Sequence, residues 1–212
     1  GIYGAMSIAN LDPLKGMPLR KLSLARCPLV KNLAPLRGLS LTSLDISSTK
    51  IRNLDDLKDM QLSSLRLINC PVENLVPLTG MPLESLSLEG CPVRDLSPLK
   101  GMRLDTLHLA SCKQLSDLRP LKDMQLKVLT INESGVTDLV PLQGMQLEVV
   151  YLTPKIFTPQ NLDILRGINL AVVKTGEQIV FGHECGLGAL RRESLWARLA
   201  QSDSRTEART GL

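Results

Sequence analysis

"SLEGCPVRDLSPLKGMRL", residues 87–104, poses the question on which the fold turns: whether Cys91 is chemistry or one position in a pattern. Nearly the same string comes before it, "INCPVENLVPLTGMPL" at 68–83, and after it, "ASCKQLSDLRPLKDMQL" at 110–126. Cys91 is therefore one member of a column. Working outward, a leucine followed by a short turn recurs at Leu14, Leu36, Leu57, Leu78, Leu99, Leu121 and Leu142, at intervals of 21 or 22 residues. A fixed period of this length is the mark of a repeat architecture.

After each marker leucine comes a turn such as "KGM" or "KDM", and then a six-residue segment of the form L-x-x-L-x-L. The segments lie at 19–24, 41–46, 62–67, 83–88, 104–109, 126–131 and 147–152, with a poorer eighth copy, "LAVVKT", at 170–175. Each closes on two alternating apolar residues, the period-two signature of a strand with one buried face. Pro13, Pro35, Pro77, Pro98, Pro120 and Pro141 precede the marker leucine, with Asp56 in the remaining copy. A fixed φ helps the chain turn there, where no ladder hydrogen bond is needed.

The pattern L-x-x-L-x-L-x-x-C resembles that of leucine-rich-repeat proteins, over about residues 8–153. The resemblance implies an α/β fold, a right-handed solenoid with a parallel β-sheet on its concave side and short 3₁₀ or irregular turns on the convex side. One coil cannot bury its own leucines; a neighbour about 4.7–4.9 Å along the axis covers them. Similar short repeats occur in bacterial proteins that pair the array with a serine/threonine kinase domain, and in internalin-like proteins. These use the array to bind proteins.

Cys27, Cys70, Cys91 and Cys112 stand three residues after the last strand leucine, with Thr49 and Ser134 at the same place in other repeats. The resemblance makes this the family's asparagine/cysteine ladder, a small inward side chain that satisfies backbone groups as the chain leaves the strand. The rival reading, a metal or redox site of Cys70, Cys91 and Cys112, lacks any C-x-x-C pair and has only His108 and His183 for imidazole ligands. Parallel side-chain vectors also suit disulfides poorly. Only Cys185, in the tail, is expected to react quickly.

Positions between the leucines form three outward columns on the sheet. The middle one holds Ser23, Asp45, Arg66, Ser87, His108, Thr130 and Tyr151, and the third includes Glu89. Interfaces favour aromatic and arginine anchors, so Arg66, His108 and Tyr151, with Asp45 and Glu89 beside them, are the candidate partner-binding residues. The three lie two repeats apart, roughly 9–10 Å along the stack. The face is either this or a plain solvated sheet.

Catalytic signatures are missing: no phosphate loop, nucleophile elbow, H-E-x-x-H or kinase motif appears. Asp95, Asp117 and Asp138 recur in register and read as turn caps. No catalytic residue, metal or cofactor is assigned. A formal charge of +4, with basic residues scattered among acids, argues against nucleic acid as the partner. No run of eighteen apolar residues marks a membrane span, and no secretory signal is visible. The 43% hydrophobic and 2% aromatic content leaves the core to leucine.

The expected organisation is a repeat array over 1–153, a capping region over 154–181 and a weakly helical or disordered tail over 182–212. The cap centres on a short helix with Pro159 in its first turn and Leu162, Leu165 and Ile168 facing the array. "SIANLDPLKGM" at 7–17 matches the second half of a repeat with no polar cap before it, so further repeats or another domain are expected upstream. The functional expectation is a monomeric, non-catalytic module that binds a protein; the alternative is the sensor portion of a larger kinase. Unpaired buried cysteines suit a reducing cytoplasm, although internalin-like proteins act outside the cell.

Overall fold

The computed structural model describes residues 8–168, and the backbone at 172–175 and 178–182. Strands form at the centres of the L-x-x-L-x-L segments and are only three or four residues long: β1 Lys21–Ser23, β2 Ser43–Asp45, β3 Ser64–Arg66, β4 Ser85–Ser87, β5 Thr106–His108, β6 Val128–Thr130 and β7 Val149–Leu152. They pair in sequence order, parallel and in strict register, so that Leu22, Leu44, Leu65, Leu86, Leu107, Leu129 and Val150 form one row. Every leucine of a coil thus meets its counterpart in the next. The row is 8% exposed at Leu22 and 0% from Leu44 onward.

The strands are shorter than the six-residue pattern because the chain leaves the sheet two residues beyond the last strand leucine. There Arg26, Ser48, Asn69, Gly90, Ser111 and Glu133 all adopt left-handed φ, between +55° and +70°. Pro154 holds the equivalent place in the seventh coil, and its ring forbids positive φ. The chain turns instead through the 3₁₀ segment Pro154–Ile156, and the regular repeat ends.

On the return path each coil makes one 3₁₀ turn, such as Ala34–Leu36 or Ser97–Leu99, with proline at its second residue where one is present. Its first backbone N–H is accepted by an Asn or Asp two residues earlier. Asn10, Asn32, Asn53, Asn74, Asp95, Asp117 and Asp138 all do this at 2.8–2.9 Å. The acids that recur in register are therefore turn closures. Gly16, Gly38, Asp59, Gly80, Gly101, Asp123 and Gly144 then reverse the chain with φ between +65° and +79°.

The C-terminal end departs from the repeat as the sequence indicates. Helix α1, Pro159–Gly167, starts at Thr158, whose hydroxyl accepts Asn161 N–H at 3.3 Å, and it buries Leu162 and Leu165, with Ile168 just beyond. The poorer eighth copy is β8, Val172–Thr175, parallel to β7. β9, Gln178–Gly182, was not expected: it pairs antiparallel with β8 and crosses the anticipated start of the tail. Cys185, His183 and the proposed tail helix lie outside the described residues.

Candidate functional site

The outward face of the sheet carries the five candidate residues, and the register places them. Asp45, Arg66, Ser87, His108, Thr130 and Tyr151 are successive Cα partners on β2 to β7. Long and short side chains alternate from Arg66 onward. The short ones are closed over: Ser87 is 4% exposed and Thr130 7%, although both belong to the outward column. Arg66 and His108 flank Ser87; His108 and Tyr151 flank Thr130. The three long residues thus make one ridge two strands apart at each step, with hydroxyls beneath it.

Hydrogen bonds fix parts of this ridge. Thr130 Oγ1 accepts Leu109 N–H at 3.2 Å and lies 3.3 Å from His108 Nδ1. Leu109 N–H also reaches the Thr130 carbonyl at 2.8 Å, and the hydroxyl, with one proton and two lone pairs, pairs with His108 Nδ1 as donor or acceptor according to the tautomer. Burial holds the His108 pKa below the ordinary histidine range; Arg66 adds to this, and Glu89 opposes it. Glu89 Oε1 accepts from Ser87 Oγ at 3.5 Å, and Asp45 Oδ1 accepts Ser47 N–H at 3.0 Å. Arg66 is exposed and, among the described residues, forms no salt bridge, although Asp45 is its register partner. Glu89 lies two residues past Ser87, the last residue of β4, beside the ridge.

Sequence reasoning identified the long residues but missed the role of Ser87 and Thr130. The signal was present in the large–small–large order of the middle column, which has meaning only once the register is known.

The cysteine column lies on the other side of the sheet, in the core. Cys70, Cys91 and Cys112 each donate a thiol hydrogen bond to the residue just after the strand of the preceding coil, Ile46 O at 3.0 Å, Leu67 O at 3.0 Å and Leu88 O at 3.1 Å. Thr49 and Ser134 use shorter side chains on carbonyls of their own coil, Ile46 O at 2.7 Å and Ile131 O at 2.5 Å. All four described cysteines are free and buried. Burial pushes Cys91 up to about 12 and Cys112 up to about 11, and raises Cys70. A thiolate, the form that attacks or ligates, is thereby disfavoured. Among the described residues no cluster of His, Cys, Asp and Glu has the grouping a metal needs, and no helix is long and apolar enough to cross a membrane.

No protein-family model and no curated protein matches the chain. Solved structures similar to it include an internalin (inlF) from Listeria monocytogenes, at a TM-score of 0.61 and 23% identity over 73% of this chain and 47% of the internalin. Internalin C2 from the same organism gives a TM-score of 0.60 and 23% identity, over 72% of this chain and 70% of its own. The chain thus spans about half the length of the first. What is shared at this identity is the architecture of stacked parallel coils.

Proposed function

We propose that this leucine-rich-repeat solenoid is a protein-interaction module whose partner lies along the outward sheet face, on the ridge of Arg66, His108 and Tyr151 flanked by Asp45 and Glu89. The module has no catalysis of its own. The observation that carries the reading is the closed ridge. Three long side chains of the kinds that anchor interfaces lie along one line over short hydroxyl residues, with an imidazole beside Thr130 Oγ1 and an arginine that forms no salt bridge among the described residues. A rigid sheet that presents its donors in advance has little side-chain freedom left to lose on association. The leucine-rich-repeat resemblance supports the same reading, since arrays of this class serve to bind proteins.

The experiment is affinity capture with the whole chain beside two variants. Arg66→Ala/Tyr151→Ala removes the ends of the ridge; Val76→Ser/Val140→Ser changes exposed positions on the 3₁₀ turns. The reading requires the same proteins to be captured by the parent and the turn variant and lost by the ridge variant. Capture that survives in the ridge variant sends the search to another surface.

A further inference from the structure

Charge appears scattered along the chain, but the register gathers it. Residues 8–37 hold six cations, Lys15, Arg20, Lys21, Arg26, Lys31 and Arg37, against the single acid Asp12. Over 38–153 the balance reverses, with 14 acids to 11 bases. Lys15 is paired with Asp12, and Arg37 with Asp56, both at 2.6 Å. Arg20, Lys21, Arg26 and Lys31 are all exposed and, among the described residues, form no salt bridge.

The flanks of the sheet carry the same polarity. On the side where strands begin, backbone hydrogen bonds join Arg20, Thr42, Ser63, Glu84, Asp105, Lys127 and Glu148 into one row. Its basic end is on the first coil and its acidic end on the seventh; Lys127 is turned onto Asp105 at 3.5 Å. On the side where strands end, the left-handed positions run from Arg26 through Ser48, Asn69, Gly90 and Ser111 to Glu133. Both flanks pass from cation to anion in the same direction.

We propose that the first coil, through Arg20, Lys21, Arg26 and Lys31, is the docking surface for an acidic stretch of the protein partner, so that a partner lying along the sheet is oriented by charge. The proposal rests on the protein-binding reading in one respect: it takes the anionic occupant to be polypeptide. Four exposed cations that form no salt bridge among the described residues attract such a stretch over about a Debye length, roughly 10 Å at 0.1 M salt. The acids of the sixth and seventh coils repel it, which excludes the reversed orientation. Exposed rim charges of this kind govern encounter and orientation more than final affinity.

The test uses the whole chain and a fluorescein-labelled oligoglutamate peptide, with fluorescence anisotropy at low and high salt. Arg20→Glu/Arg26→Glu is a conservative change for the fold, because Glu84 and Glu148 already occupy the Arg20 place and Glu133 the Arg26 place at φ +57°. The parent should bind the peptide at low salt and release it at high salt, and the reversal variant should bind at least roughly tenfold more weakly. Val76→Ser/Val140→Ser, on the 3₁₀ turns, should bind as the parent does, and the affinity capture above reads the ridge independently of this peptide. Failure of the parent to bind, equal binding by the reversal variant, or tighter binding of a single-stranded RNA of the same charge would each overturn the proposal. Unchanged urea midpoints across the variants tie any loss to charge.

Discussion

Thr130 stands between two hydrogen bonds: its hydroxyl oxygen takes Leu109 N–H at 3.2 Å and lies 3.3 Å from His108 Nδ1. The outward column and the strand ladder are therefore coupled at that residue. A change of charge at His108 is therefore felt at Thr130 Oγ1, beside the ladder.

A pH dependence follows. Burial lowers the folded-state pKa of His108; Glu89 opposes it, and Arg66 adds a smaller lowering. On acidification the unfolded chain takes up its proton first, so the native state loses stability as pH falls through the ordinary histidine value and stops losing once the folded value is passed. Urea unfolding of the parent and His108→Gln should give curves that diverge below about pH 6.5, with the parent falling faster. Parallel curves from pH 8 to pH 5 would mean that the imidazole is not held as described.

The thiols give the opposite sign at the other end of the scale. Cys91 and Cys112 are pushed up to about 12 and about 11 from an ordinary 9.0, so the unfolded chain deprotonates first as pH rises. Stability should decline above pH 9, and Cys91→Ser/Cys112→Ser should flatten that decline. Iodoacetamide at pH 8 should leave Cys27, Cys70, Cys91 and Cys112 unmodified until urea is added. Rapid native labelling of any of the four, read by peptide mass spectrometry, would contradict the burial of the column.

Two glycines separate conformational strain from crowding. A Cβ at Gly101, φ +74°, meets nothing within 4 Å, so Gly101→Ala should cost only the left-handed strain, about 1–2 kcal/mol. The same geometry is carried by Asp59 and Asp123, and Asp59→Gly should stabilise by up to about 1 kcal/mol. At Gly135 a Cβ would lie 2.7 Å from both Leu115 O and Lys113 O. Those carbonyls belong to the preceding coil, whose marker leucines Leu99 and Leu121 stand 22 residues apart. Gly135→Ala should therefore cost about 1–3 kcal/mol through forced backbone movement, and it should raise hydrogen exchange in both coils, as Gly101→Ala should not.

Asn161 pins the capping helix. Its side chain is 2% exposed, accepts Leu139 N–H at 3.1 Å, and donates to Thr137 O at 2.7 Å and Ile156 O at 2.8 Å. Asn161→Leu leaves three backbone groups without that partner, two of them, Leu139 N–H and Ile156 O, in buried hydrogen bonds, at roughly 1–3 kcal/mol for each buried group that finds no substitute. Urea unfolding should show a loss of several such increments, and hydrogen exchange should locate it at Leu139 and the helix before the inner coils respond.

What could be read in advance was what repetition makes redundant. The period, the inward leucines, the turns with Pro35 or Pro98 and the cysteine column each appear several times, so a departure such as Asp56 or Thr49 does not hide the pattern. Features that occur once were not legible. Asn161 looks like a polar residue early in a helix, and only the fold brings Thr137 and Leu139 to it. Strand β9 has no counterpart among the coils. The ridge was half legible: Arg66, His108 and Tyr151 stand out by size, whereas the closure over Ser87 and Thr130 depends on register. The left-handed turn after each strand was also invisible, because Arg26, Ser48, Asn69, Ser111 and Glu133 occupy it alongside Gly90.

The reversal of β9 bears on self-assembly. Identical units stacked in one direction contain no instruction to stop, and a molecule whose two rims match is a candidate for filament growth. A coil oriented like the eight parallel strands would meet β9 antiparallel, so the all-parallel ladder of the repeat does not continue across that strand.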